Sequence, residues 1–152
     1  MSDVAQQLDA SELRMEREFA HPPKAVFRAW TDTQALRQWM GPGEITAPGS
    51  EMDAREGGAL IIPMTHPDGA VHTARGEIRE LIPDRKLRFS WAWDQEDGSV
   101  GQQMEITLEF IPTDKGTRLT LHQTNFVDEE ARDKHRFGWN GCLEKLEACI
   151  AA

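Results

Sequence analysis

FAHPPKAVFRAWTDTQALRQWMGP, residues Phe19 to Pro42, is the stretch whose reading decides the fold. Two prolines open it. Proline at the first helical turn starts a helix, because its fixed φ suits that position and the N–H it lacks would have had no partner there. Val26, Ala29 and Trp30 then form an inward stripe, with Phe27 beside it. Thr31 or Asp32 can cap a second short helix, whose apolar positions are Leu36, Trp39 and Met40 and which stops at Gly41-Pro42. The segment reads as two small helices anchored by Trp30 and Trp39. What they pack against decides what the protein can hold.

On the N-terminal side, Glu12 to Ala20 alternates Leu13, Met15, Arg17 and Phe19 against charged neighbours, the pattern of a half-buried strand. His21-Pro22-Pro23 ends it, since the residue before a proline avoids helical geometry. Residues 1–11 carry little periodicity and read as a flexible leader to one domain over 12–152. On the C-terminal side the period changes to two. Six strands are expected, over about 44–54, 59–66, 71–81, 86–93, 102–111 and 117–124. Gly57-Gly58, Pro67-Asp68-Gly69, Pro83-Asp84-Arg85, Asp97-Gly98 and Asp114-Lys115-Gly116 separate them with residues that tight turns need. Strands joined so tightly must run antiparallel.

Asp128 then caps a long helix from Glu129 to about Ala151, with acids in its first turn to suit the helix dipole. His135, Trp139, Cys142, Leu143, Leu146, Cys149 and Ile150 fall on one face. Gly138 and Gly141 cost helix stability, so a close backbone approach should compensate. A seven-stranded sheet with one apolar face needs a cover, and only this helix is long enough. The expectation is an α+β helix-grip fold: a curved antiparallel sheet around a long C-terminal helix, with a cavity between them closed at one end by the two short helices.

Bulk properties bound the partners. The 152 residues suit one domain with a sizeable core. Net charge −9 and a pI near 5.0 argue against a nucleic acid, which needs a basic stripe. Arg132 to Arg136 is diluted by acids and reads as a solvated helix face. No apolar run could span a bilayer, and Met1 to Ala10 is polar and acidic where a signal peptide would be basic. A cytoplasmic location is the expectation. Cys142 and Cys149, seven apart on one helix, lie about 10 Å apart along its axis, beyond a disulfide's reach. They read as small buried hydrophobes.

In this order the residues resemble the START-like SRPBCC superfamily, in the branch similar to the C-terminal domain of the heat-shock protein 90 ATPase activator. The resemblance rests on Arg17-Glu-Phe-Ala20, Pro23-Lys-Ala-Val-Phe-Arg-Ala-Trp-Thr-Asp32, Trp39-Met-Gly-Pro42 and Asp53-Ala-Arg-Glu-Gly-Gly58. Asp68-Gly69, Gly116-Thr-Arg-Leu-Thr-Leu121 and Gly138-Trp139 complete it. It implies a helix-grip fold with an internal pocket, in a family whose members bind hydrophobic small molecules or lipids. Some relatives are cyclases or other enzymes of aromatic polyketides, and the eukaryotic namesake contacts a chaperone. The family carries no universal catalytic motif, so no active-site residue transfers.

Strand parity supplies candidates for the cavity wall. Leu87, Phe89, Trp91 and Trp93 share one face, as do Met104, Ile106, Leu108 and Phe110, and Leu119, Leu121 and Gln123. With Trp39 and Trp139 these would make an aromatic wall with Met104 as filler; alternatively the aromatics meet and leave a solid core. His66 and His72 share parity across their turn and should be neighbours. They could shuttle a proton, begin a metal site, or stand in solvent as hairpin-tip residues. Gln123 could orient a ligand or satisfy a neighbouring strand. Ser90 should face outward, and no nucleophile, phosphate-loop or zinc motif is present.

The sequence therefore supports a protein that binds a hydrophobic, lipid-like or aromatic small molecule without cofactor, metal or catalytic residue. Ligand contacts are expected from Trp39, His66, His72, Phe89, Trp91, Trp93, Met104, Gln123 and Trp139. An enzyme with His66 or His72 as general base is one alternative, and a chaperone-interacting module is the other. The expected state is a monomer or a weak homodimer through an uncovered edge strand.

Overall fold

A computed structural model describes residues 11–151; the expected leader over 1–11 falls, Ser11 apart, outside the described residues. Strand β1 spans Glu12–Phe19, and helices α1 and α2 span Pro23–Thr31 and Thr33–Trp39. Asp32 joins the two helices. Its N–H closes α1 on the Arg28 carbonyl at 2.8 Å, while its Oδ1 accepts from Gln34 and Ala35 N–H groups at 2.9 and 3.4 Å. One residue thus satisfies the end of one helix and the start of the next.

The sheet contains β2 Glu51–Met52, β3 Ala59–Thr65, β4 Val71–Ile82, β5 Lys86–Trp93, β6 Met104–Thr113 and β7 Gly116–Thr124, besides β1. Its order is β1-β7-β6-β5-β4-β3-β2, and every pairing is antiparallel. The expected strand over 44–54 shrinks to β2, preceded by an isolated bridge between Thr46 and Thr65. Pro48 has no N–H for a ladder, and Ser50 turns the chain by donating from Oγ to the Ala47 carbonyl at 2.9 Å.

Ser90 pairs with Glu105 on the face opposite Phe89 and Trp91, yet it is only 7% exposed, and its Oγ accepts from the Glu77 N–H at 2.8 Å. At this point β4 and β5 approach so closely that a Cβ on Gly76 would collide with the Ser90 carbonyl. A register shift between Ile78 and Glu80 follows, of the kind that bends a sheet.

Helix α3, Glu129–Ala151, crosses the concave face, with Asp128 accepting from the Ala131 N–H at 2.8 Å. Trp139, Cys142, Leu143 and Leu146 point inward. Arg17 and Glu147, 2.7 Å apart, tie it to β1. The helix-breaking cost of Gly141 has the expected compensation: a Cβ there would lie 2.9 Å from the Pro42 Cβ. Lys145 completes the attachment by donating from Nζ to the carbonyls of Gly41, Gly43 and Ile45 at 2.6, 3.2 and 2.9 Å.

Helix α1 touches β6 and α3, and α2 touches α3 and β2. Their aromatics fill one end of the space under α3. Phe27 meets Phe110 edge-on at 5.2 Å, and Trp30 meets Trp39 at 4.7 Å. Trp39 is fully buried and its indole donates to the Ala29 carbonyl at 2.9 Å.

Candidate functional site

The other end of the interior is open. There the C-terminal half of β5, the tip of the β3–β4 hairpin, the loop after α2 and the first half of α3 enclose a pocket of about 290 Å³. Period two along β5 brings Trp91 and Trp93 to its wall. Helical spacing along α3 brings Lys134, His135, Gly138, Trp139 and Cys142. Pro42 and Ile45 come from the loop, and Met64, His66 and His72 from the hairpin.

The aromatic wall is built in layers. Trp91 stands perpendicular to Trp93 at 5.7 Å and against Trp139 at 5.4 Å. Gln123 fixes Trp139 from behind: its Oε1 accepts from the indole N–H at 2.8 Å, and its amide reaches the Met104 sulfur at 3.4 Å. The Trp91 indole N–H is buried and has no partner among the described residues. Buried donors of this kind are rare, because each forfeits its hydrogen bond to water.

His135 closes the rim against Trp93. Indole N–H can only donate, so the 3.0 Å contact from Trp93 Nε1 makes His135 Nε2 the acceptor. His135 Nδ1 then carries the proton and donates to the Ala131 carbonyl at 2.8 Å. Burial pushes the imidazole below its ordinary pKa, with the Ala131 hydrogen bond opposing. This histidine is neutral in both its bonding and its environment. Cys142 is also neutral: burial pushes its thiol up to about 11, despite the Gly41 backbone and Lys145.

His66 and His72 are neighbours as parity requires, with ring centroids 4.6 Å apart and edge-to-face. Neither imidazole has a hydrogen-bond partner among the described residues. Among those residues no group of three or more His, Cys, Asp or Glu side chains is placed to hold a metal ion. On the far side of His72 and Trp93 lies a second, polar hollow lined by Asp94, Gln95, Glu96, Asp97 and Ser99.

Of the nine residues expected to contact a ligand, the pocket gathers five: His66, His72, Trp91, Trp93 and Trp139. Phe89, Met104 and Gln123 are buried outside its lining, and Trp39 belongs to the packed end with Trp30. Sequence reasoning missed Pro42, Ile45, Met64, Lys134, His135, Gly138 and Cys142 as wall residues. His135 had a signal in its place on the apolar helix stripe; the loop residues had none, because Lys145 and Gly141 decide where that loop lies. The arrangement can enclose an apolar body and offer donors to it.

A family model described as activator of Hsp90 ATPase homolog 1-like protein matches residues 20–151. Among solved structures, an AHSA1 protein of Silicibacter pomeroyi is 30% identical, with a TM-score of 0.84 over 93% of this chain and 98% of that one. A protein of Chromobacterium violaceum is 26% identical, with a TM-score of 0.82 over 93% and 99% of the two chains. A protein of Nitrosomonas europaea shares the fold at 24% identity, with a TM-score of 0.79 over 93% and 95%. No curated protein matches the chain. No helix among the described residues is long and apolar enough to cross a membrane.

Proposed function

The chain belongs to the activator of Hsp90 ATPase homolog 1-like family, and from that premise we propose that it binds one hydrophobic, aromatic or lipid-like small molecule, non-covalently, between sheet and C-terminal helix. The observation that carries this reading is the pocket of about 290 Å³ walled by Trp91, Trp93 and Trp139. Apolar walls with a few convergent polar groups are the usual make-up of ligand sites, whose volumes run from about 300 to 1,000 Å³. This pocket stands at the small end, so it suits a compact or flat ligand over a two-chain lipid.

Affinity would come from burial. Each Å² of apolar surface removed from water is worth roughly 25 cal/mol, offset by the cost of lost translational and rotational freedom.

Gly138 supplies the test. A Cβ there meets nothing nearer than the Pro42 Cγ at 3.9 Å, so a larger side chain can enter the pocket without disturbing the helix. Titration with 2-naphthalenemethanol, read by tryptophan fluorescence, should saturate for the native chain and weaken at least about tenfold for Gly138→Leu. Equal binding by the two proteins would move the site elsewhere. No saturation by this and other flat or lipid-like probes would remove the proposal.

A chaperone contact has one observation in its favour. Phe137 is 79% exposed on α3, among Glu129, Glu130, Asp133 and Lys134, an aromatic ring left in water by a charged surround. Saturable binding of heat-shock protein 90 that is lost in Phe137→Ser would support it, and no binding at all would dismiss it.

A further inference from the structure

We infer that the pocket selects a ligand with an anionic head group, a small aromatic or medium-chain carboxylate, and rejects amines; this rests on the ligand-binding reading above. The chain has 26 acids against 17 bases, yet among the described residues no aspartate or glutamate lines the pocket, which carries Lys134, His66, His72 and His135 instead. An acidic protein has kept acids out of one apolar cavity.

No carboxylate of the described residues is in the lining to pair with a cation, and several neutral acceptors there already have donors. His135 Nε2 is occupied by the Trp93 indole. The carbonyls of Gly41, Gly43 and Ile45, in the loop that forms part of the wall, are occupied by the Lys145 ammonium. Burying an ammonium here without a partner would disfavour binding. Donors stand at the lining: the His66 and His72 rings, without a hydrogen-bond partner among the described residues, each carry an N–H. Among the described residues Lys134 is held only by Glu130 at 3.0 Å, with both side chains about three-quarters exposed, a surface pair weak enough to yield to a ligand.

Acids do stand close by, outside the mouth. Asp94 is held by Arg75 through Nε at 2.8 and 2.9 Å, and Asp97 accepts from Ser99. Glu96 lies with them in the hollow on the far side of His72 and Trp93. They leave the inside of the pocket to donors.

The test uses three probes with one ring system: 2-naphthoate, 2-naphthalenemethanol and 2-naphthylmethylammonium, titrated at pH 7 into the full chain. The expected order is carboxylate tighter than alcohol by at least about tenfold, the worth of one charge-assisted hydrogen bond, with the ammonium weakest. In Lys134→Gln, and separately in His66→Gln/His72→Gln, the carboxylate-to-alcohol ratio should fall toward one. The Lys134 side chain is 75% exposed, so its variant keeps the fold. Equal affinities, an alcohol or ammonium preference, or a ratio unmoved in both variants would overturn the inference and leave the ligand-binding reading standing. Failure of all three probes, and of the other flat or lipid-like probes, to bind would overturn both.

Discussion

The two ends of the interior are built from the same materials and reach opposite outcomes. At one end, α1 and α2 push Phe27, Trp30 and Trp39 under α3, and the Trp30–Trp39 pair closes to 4.7 Å. At the other, Trp91, Trp93 and Trp139 meet at 5.4 to 5.7 Å and leave about 290 Å³ empty. Aromatic content does not decide which end is solid. The difference is cover: two helices fill the first end, whereas the second has a loop strapped down by Lys145 and the small side of α3 at Gly138. An interior packs to crystal-like density where elements converge, and a void survives where the surrounding backbone cannot collapse into it.

That contrast can be broken most forcefully with tryptophan. Trp39→Ala should cost about 3–5 kcal/mol in chemical denaturation, the usual penalty for emptying a packed aromatic site. Trp91→Ala should lose ligand binding by more than it loses stability, because its ring is part of the pocket wall. Comparable losses of both would make Trp91 ordinary core and erase the difference between the ends.

The two glycines of α3 sharpen the comparison at the next level. Gly141→Ala should destabilise by about 1–3 kcal/mol, as overpacking against Pro42 forces helix and loop apart. Gly138→Ala, three residues earlier, should stabilise by about 0.5–1 kcal/mol, because alanine is the better helix former and its methyl has room. Thermal melts of the pair give the signs directly. A loss at both positions would mean that the helix is seated as tightly over the pocket as over the loop.

Smaller effects come from ionisation. His135 has its folded pKa held below the unfolded value of about 6.5, so the unfolded chain takes up the extra proton first. Its contribution to stability is therefore complete above about pH 6.5 and is lost as pH falls toward the folded pKa. The proton also removes the lone pair that accepts from Trp93. Denaturation from pH 7.5 to 5 should show this slope in the native chain and a reduced slope in His135→Gln. Cys142, with a thiol pKa of about 11, should resist alkylation at pH 8 until unfolding, while the part-exposed Cys149 reacts first. Mass spectrometry after brief iodoacetamide treatment distinguishes them.

The sequence announces the packed end better than the open one. Pro22-Pro23, the Asp32 cap and the alternation of β5 to β7 are local signals, and each element lies within a few residues of its expected place. The strand over 44–54 failed because Pro48 and Ser50 divert the chain while its residues still alternate. Parity correctly gave Trp91 and Trp93 one face, and helical spacing placed Trp139. Spacing could not separate Trp39 from them, since a tryptophan that fills space and one that borders it read alike. Gln123 showed the same ambiguity: the amide faces inward as expected, and its partners are the Trp139 indole and the Met104 sulfur. Which interior polar group meets a ligand depends on how loop, hairpin and helix converge, a property of tertiary packing that no single segment encodes.

The most direct test of the contrast is a two-dimensional amide NMR spectrum of the five indole N–H signals, recorded while 2-naphthoate is added. Saturable shifts at Trp91, Trp93 and Trp139, with Trp30 and Trp39 still, are the predicted result. Five unmoved signals, or shifts equal at Trp39 and Trp91, would contradict an interior that is solid at one end and open at the other.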